Sequence, residues 1–131
     1  MSQSKYDLEE RLLDFAAQII RLVERLDATK AGNHVGGQLL RCGTSPLFNH
    51  GEAQAAESSK DFSHKLKICL KELRETYRAL RLIQRVPLVK PAATVDPSLQ
   101  ETEELIKIFM SSIRTVEKRV VRDLPQEEYG A

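Results

Sequence analysis

Residues 59–86, SKDFSHKLKICLKELRETYRALRLIQRV, carry the clearest periodicity in the chain. Apolar and small side chains recur there at alternating steps of four and three residues, which places them on one side of an α-helix. This seam consists of Phe62, Leu66, Cys69, Leu73, Thr76, Leu80 and Ile83. Ser58 and Asp61 form a capping-box pattern at its start, and Pro87 follows its end. The pattern therefore predicts a helix over residues 59–86.

Two more helices are predicted before this one. Residues 7–27 repeat leucine, isoleucine, valine and phenylalanine at the same spacing, with Asp7 as the expected N-cap. Residues 32–56 contain five glycines and Pro46. This composition predicts a helix that bends near Pro46 and whose small residues allow close approach of a neighbouring backbone.

The last helix is predicted over residues 96–122. Asp96 is its expected N-cap, and Pro97 occupies its first helical position. The linker before it, residues 87–95, contains two prolines and is expected to be extended. Residues 123–131 are expected to form a frayed tail.

The composition fits a single all-α domain. Of the 131 residues, 41% are apolar and 5% are aromatic, and Trp is absent, so aliphatic side chains must fill the core. Helices of this length with short connections predict an antiparallel four-helix bundle, up-down-up-down, over residues 1–131. The net charge is +1, so no global field draws the chain to nucleic acid or to an anionic membrane.

The sequence gives no sign of catalysis or membrane insertion. It lacks phosphate-binding glycine loops, zinc-protease motifs and clustered Cys/His ligands, so we expect no enzyme activity, cofactor, metal site or small-molecule substrate. Cys42 and Cys69 form no CxxC pair and are expected to be reduced and structural. No apolar run approaches the ~20 residues of a membrane span, and the polar N-terminus lacks a signal sequence. We therefore expect a cytoplasmic location.

A basic stripe follows the predicted third helix, again at steps of four and three residues. Its members are Lys60, His64, Lys67, Lys71, Arg74, Arg78, Arg81 and Arg85. The stripe is displaced by two positions from the apolar seam, which is roughly 200° around the helix, so it should face solvent. Residues 59–86 carry eight Lys or Arg and three Asp or Glu, a charge of +5, whereas residues 7–27 carry a charge of −3.

Three interpretations fit the basic stripe. It is a solvated face, a face that meets the acidic first helix of another subunit, or a surface that binds phosphate backbones. The first two together are favoured. Because no aromatic side chain is interleaved with the stripe, stacking of nucleic-acid bases is not expected.

A polar constellation lies in the predicted second helix, at steps of seven, four and three residues. It comprises Gln38, Ser45, Asn49 and Glu52. Asn49 also falls on the inward seam, and a buried polar group needs a partner. Lys71 or Arg74 of the third helix is the expected source of positive charge. The favoured interpretation is a network that fixes helix register or an oligomer contact, and the alternative is a small-ligand site.

These residues also carry a resemblance to a known family. The stretch QLLRCG at residues 38–43 is followed by Ser45, Asn49 and Glu52, then by Ser58, by KDF at 60–62 and by LKIC at 66–69. This order resembles, without gaps, a motif of the four helix bundle proteins that were first noticed as reading frames inside intervening sequences of bacterial 23S ribosomal RNA genes.

The resemblance implies a left-handed antiparallel bundle that assembles with itself as a ring, commonly a pentamer. A related group, the accessory proteins of diversity-generating retroelements, forms basic pentamers that bind nucleic acid and a reverse transcriptase, and this chain is far less basic than they are. The favoured hypothesis is therefore a non-enzymatic homo-oligomeric scaffold or interaction protein. The alternative is an accessory protein that binds RNA or DNA weakly through the basic stripe.

Overall fold

A computed structural model describes residues 5–122, with side chains from Leu8 onward. It contains four α-helices: α1 (Lys5–Glu24), α2 (Lys30–Gln54), α3 (Ser59–Arg85) and α4 (Asp96–Arg122). A short 3-10 helix, Ala92–Val95, precedes α4. Within these residues there is no β-strand, so the all-α prediction is confirmed. The predicted frayed tail at 123–131 lies outside the described residues.

The apolar seam of α3 forms the centre of the core. Six of its seven members are buried, and Phe62 is partly buried against the same core. Thr76, the one polar member, donates its hydroxyl hydrogen bond to the Glu72 carbonyl at 2.8 Å, so its hydroxyl is not left unpaired in the core. At the start of the helix, the Asp61 amide donates to Ser58 Oγ at 3.1 Å. The predicted helix and its N-cap are therefore confirmed.

Helix α2 packs through its small residues. A Cβ atom built on Gly43 would lie 2.7 Å from Ile19 Cγ2, and one on Gly36 would lie 3.3 Å from Leu26 Cδ1. The helix continues without interruption through Pro46, which is buried. On its other side the Cys69 thiol donates to the Pro46 carbonyl at 3.6 Å. The absence of side-chain bulk at the two glycines thus lets α1 approach the α2 backbone, as expected.

The connection between α1 and α2 departs from the predicted bounds. α1 ends at Glu24 rather than near residue 27, and α2 begins at Lys30 rather than 32. The cause is Thr29, whose hydroxyl accepts a hydrogen bond from the Gly32 amide at 3.0 Å and caps α2. The Asp27 amide instead donates to the Leu88 carbonyl at 2.8 Å, which ties this turn to the far linker.

Two of the predicted N-caps, Asp7 and Asp96, are wrong. α1 already includes Lys5, so Asp7 lies inside its first turn and does not cap it. Asp96 has helical backbone angles, φ −53° and ψ −46°, because the 3-10 helix leads directly into α4. Its carboxylate accepts a hydrogen bond from Gln84 Nε2 at 2.7 Å and so links α4 to the end of α3.

The prediction of an extended linker over residues 87–95 is also wrong. Leu88, Val89 and Val95 are buried and belong to the main core. The Leu88 amide donates to the Ile83 carbonyl at 2.8 Å, so the chain turns back at once after α3. The segment closes one end of the core because its three aliphatic side chains gain more from burial than from exposure.

The helices pack in chain order. α2 contacts α1 and α3, α3 contacts α4, and α1 contacts α4 least. α1 and α4 are nevertheless linked by Arg11 of α1. Its guanidinium donates to both carboxylate oxygens of Glu101 in α4 at 2.6 and 2.9 Å. None of the four helices is both long enough and apolar enough to cross a membrane.

The small-residue contact predicts opposite effects of alanine at two glycines of α2. Gly43→Ala places a methyl group against Ile19, which is fully buried, and should destabilise the fold by about 1–3 kcal/mol. Gly37→Ala is the matched control, because no atom lies within 4 Å of its added Cβ. That substitution should stabilise the helix by about 0.5–1 kcal/mol. Urea denaturation at one protein concentration measures both, and a Gly43→Ala chain as stable as wild type would disprove the close contact.

Candidate functional site

The basic stripe lies on the outer face of α3. All eight members are exposed: Lys60, His64, Lys67, Lys71, Arg74, Arg78, Arg81 and Arg85. The stripe faces outward because the apolar seam on the opposite side of α3 is buried in the core. Lys67 forms an ion pair with Glu117 of α4 at 2.6 Å. Among the described residues the other members make no ion pair with a carboxylate, so their charges are available to a ligand.

On the side of the stripe that faces α4 there is a cleft of about 460 Å³. We call it the arginine cleft, and its lining consists of Arg74, Tyr77, Arg78, Arg81 and Ile106. The Arg81 guanidinium carbon lies 5.8 Å from the centroid of the Tyr77 ring, a cation–π distance. Arg81 also donates to the Tyr77 hydroxyl at 3.5 Å.

Tyr77 corrects the conclusion that no aromatic side chain accompanies the stripe. It is half-buried and stands between the arginines in the folded chain. Its position four residues before Arg81 was the available signal, since side chains four apart on a helix are neighbours. Three arginines, a phenol ring and an apolar floor can bind a group that combines negative charge with a flat apolar surface.

The four polar residues of α2 do not form one network. Ser45 and Asn49 are paired, with Asn49 Nδ2 donating to Ser45 Oγ at 2.8 Å and to the Ser45 carbonyl at 3.2 Å. Gln38 is exposed. Glu52 is exposed and accepts a hydrogen bond from Lys65 of α3. The expected partners Lys71 and Arg74 are wrong, because they lie on the outer face of α3.

Arg41 provides the main charged link between α2 and α3. Its guanidinium forms ion pairs with Glu72 at 3.1 Å and with Glu75 at 2.9 Å. The hydrogen bond from Arg41 lowers the pKa of Glu75 and, reciprocally, the pKa of Arg41 is raised. This link holds the Arg41 charge on the α3 side of α2.

His50 is a buried polar residue that the sequence pattern did not single out. Its ring is 2% exposed and meets Phe109 edge-on, with centroids 6.2 Å apart. Nδ1 lies 3.3 Å from Glu9 Oε1, and Nε2 lies 3.3 Å from Gln54 Nε2. Burial lowers the pKa of His50, and the nearby Glu9 carboxylate opposes that effect in part. The ring borders a cleft of about 690 Å³ at this end of the bundle.

The described residues offer no chemistry for metal binding or thiol catalysis. Within residues 8–122 no three His, Cys, Asp or Glu side chains are placed to hold a metal ion. Cys42 and Cys69 are buried and unpaired with each other. Burial raises the pKa of both thiols, that of Cys69 to about 12. Neither is therefore a thiolate at neutral pH, which excludes nucleophilic chemistry at these sites.

The described residues form an all-helical protein of four α-helices. Residues 5–111 match the family of the 23S rRNA-intervening sequence protein, and the chain belongs to that family. A similar solved structure, at 1.70 Å, is a protein of unknown function from the S23 ribosomal protein family of Bacteroides thetaiotaomicron VPI-5482. The two share 32% identity and a TM-score of 0.74, over 80% of this chain and 96% of that one. No curated protein matches the chain.

The buried His50 predicts a pH-dependent stability. Because its folded pKa is lowered, the unfolded chain takes up a proton near pH ~6.5 that the folded chain does not. Stability should therefore be unaffected by His50 above that pH and should fall as the pH drops below it. Urea unfolding at about pH 7.5 and at about pH 5.5 measures this change in the free energy of unfolding. His50→Gln should lose less stability between the two pH values than wild type does. Equal losses in the two proteins would rule out this role of His50.

Proposed function

We propose that this protein is a non-enzymatic helical-bundle protein that assembles with copies of itself through the outer face of α1 and α2. The observation that carries the proposal is a group of large apolar side chains left in solvent. Leu13 and Ile20 of α1 are 48% and 44% exposed, and Leu40 and Phe48 of α2 are 40% and 66% exposed.

These side chains belong to one surface. The topology that we infer is up-down-up-down, because early residues of each helix contact late residues of the next. Ile19 lies against Gly43, and Glu9 lies beside His50. By the same alignment Ile20 lies near the level of Leu40, and Leu13 lies near the level of Phe48. The left-handed turn of the bundle stays an expectation from the family resemblance.

The α2 part of this surface carries little charge, and we call the whole surface the uncharged face. Its members are the side chains of Leu13, Ala17 and Ile20 of α1 with Leu40, Thr44, Leu47 and Phe48 of α2. From Gly37 to Gly51 the one Lys, Arg, Asp or Glu is Arg41, which is held toward α3 by its two glutamates. The Thr44 hydroxyl donates to the Leu40 carbonyl at 2.7 Å. Covering this face therefore removes apolar surface from water without desolvating an unpaired polar group.

A second copy of the chain is the occupant that we propose for the uncharged face. A contiguous exposed apolar patch is uncommon on a protein that stays monomeric. Closed cyclic assemblies of identical chains repeat one heterologous contact around a ring. The number of five subunits rests on the family resemblance.

Charge placed in the uncharged face should dissociate the assembly. Phe48→Glu introduces a carboxylate that the contact would have to desolvate, so light scattering at micromolar concentration should report a monomer. Leu82→Glu is the matched control, because Leu82 is 50% exposed on α3 and lies outside the face. Its mass should equal that of wild type. A monomeric wild-type protein would refute self-association, and an unchanged mass for Phe48→Glu would refute this face.

We propose binding of RNA or DNA by the basic stripe as a second candidate function. The observation that favours it is the exposure of all eight members and the single carboxylate partner, Glu117, among the described residues. Unpaired cations at regular intervals along a helix suit a phosphate backbone. The stripe lies on α3 and the uncharged face on α1 and α2, so both surfaces can act in one assembly. A neighbour's acidic α1 that covered the stripe would prevent this binding.

Binding should be weak and sensitive to salt. About five phosphate contacts per subunit would lower log affinity by roughly 0.9 per contact for each tenfold rise in salt on duplex DNA. Fluorescence anisotropy with labelled RNA at low salt should show that Lys71→Glu/Arg78→Glu binds far less than wild type. Arg25→Glu/Lys30→Glu makes the same change of charge just after α1 and at the first residue of α2. It is the control and should bind nearly as wild type does. Equal loss in both variants would indicate an effect of net charge alone.

A further inference from the structure

The arginine cleft differs from the rest of the basic stripe in its shape and chemistry. Arg74, Arg78 and Arg81 line a cleft together with Tyr77 and with Ile106 of α4. Its volume of about 460 Å³ is within the range of pockets that hold small molecules. A phosphate backbone alone needs cations and does not need an aromatic ring or an apolar floor.

We infer that the arginine cleft binds one unpaired nucleotide of a single-stranded nucleic acid. Its base stacks on the Tyr77–Arg81 pair, and the adjoining phosphates contact Arg74 and Arg78. This inference rests on the second candidate function proposed above, and it adds a preference for single strands over duplexes.

The geometry of Tyr77 and Arg81 supports base stacking. The Arg81 guanidinium is placed on the tyrosine ring by the cation–π contact, while Arg81 itself stays exposed. Bases that leave a nucleic-acid stack are received by aromatic rings and by the flat planes of arginine guanidinium groups. A base within a duplex is already stacked on both sides, so it cannot enter the cleft without being flipped out.

The neighbouring charges indicate a strand rather than a free nucleotide. The stripe continues beyond the cleft to Lys67 and Lys71 on one side and to Arg85 on the other. From Lys67 to Arg85 it extends about 27 Å along the helix axis. The Arg74 carbonyl accepts a hydrogen bond from Arg78 Nη1 at 3.5 Å, and the side chains of Arg74 and Arg78 both line the cleft. A backbone laid along the stripe would carry successive phosphates past the cleft.

The test combines a change in the protein with a change in the ligand. Four proteins are compared by fluorescence anisotropy at low salt: wild type, Tyr77→Leu, Tyr77→Phe and Arg74→Gln/Arg78→Gln. The probes are a labelled uridine 12-mer, the same 12-mer with abasic positions throughout, and a 12-base-pair duplex. Tyr77→Leu keeps an apolar side chain against Ile106 but removes the ring, and Tyr77→Phe keeps the ring.

We expect Tyr77→Leu to bind the uridine strand roughly 5- to 150-fold more weakly than wild type, the effect of losing one stacked base. Tyr77→Phe should bind that strand nearly as wild type does. Tyr77→Leu should bind the duplex and the abasic strand unchanged, which also shows that it is folded. Arg74→Gln/Arg78→Gln should lose affinity for all three probes, since it removes phosphate contacts.

Two results would overturn the inference, and they are distinguishable. If wild type binds the uridine strand and Tyr77→Leu binds it equally well, the base does not enter the cleft, while phosphate binding by the stripe stands. If wild type binds none of the three probes at low salt, the nucleotide site and the second candidate function are both wrong. Tighter binding of the duplex than of the uridine strand by wild type also contradicts the inference.

Discussion

The close approach of α1 to the backbone of α2 is the constraint on which the rest of the bundle depends. Ile19, fully buried, packs directly on Gly43, and Leu26 and Val23 pack on Gly36. A Cβ atom at Gly43 would come within 2.7 Å of Ile19 Cγ2, so a side chain there would force the two helices to shift. Because α2 is the helix that contacts both α1 and α3, its distance from α1 also sets the space that the α3 seam has to fill.

This arrangement gives α2 two faces with different consequences. The inner face has small residues and lets neighbouring helices come close. The outer face keeps Leu40 and Phe48 in solvent, where they join Leu13 and Ile20 of α1. Charge is confined to other surfaces: Arg41 turns to α3, and the basic stripe occupies the far side of α3. One surface thus suits a second copy of the chain, and another suits an anionic polymer.

The sequence was sufficient for those features that repeat along one helix. The steps of four and three residues identified both the buried seam of α3 and the exposed stripe opposite it, because a helix converts spacing directly into direction. The motif from Gln38 to Cys69 was specific enough to indicate the family. The close packing of Gly36 and Gly43 against α1 was also predictable, because several glycines within one helix indicate that a neighbouring backbone comes close.

Features that depend on contacts between distant parts of the chain were not predictable in this way. Leu88 and Val89 are a short apolar pair between prolines, with no period that indicates burial. Glu52 pairs with Lys65 rather than with Lys71, and the choice depends on the relative rotation of two helices. Tyr77 was overlooked because the arginine cleft needs α4 as its second wall. Thr29 was missed as a cap because the helix pattern of α2 begins weakly.

The central claim, that the uncharged face is covered by a second copy, can be tested by hydroxyl-radical footprinting. The extent of labelling of Phe48 is measured in wild type and in Ile20→Glu. The substitution changes the same face on a different helix. The account predicts that Phe48 is protected in wild type at micromolar concentration and becomes strongly labelled in Ile20→Glu, because its 66% exposure in the single chain is restored. Equal and strong labelling of Phe48 in both proteins would contradict the account.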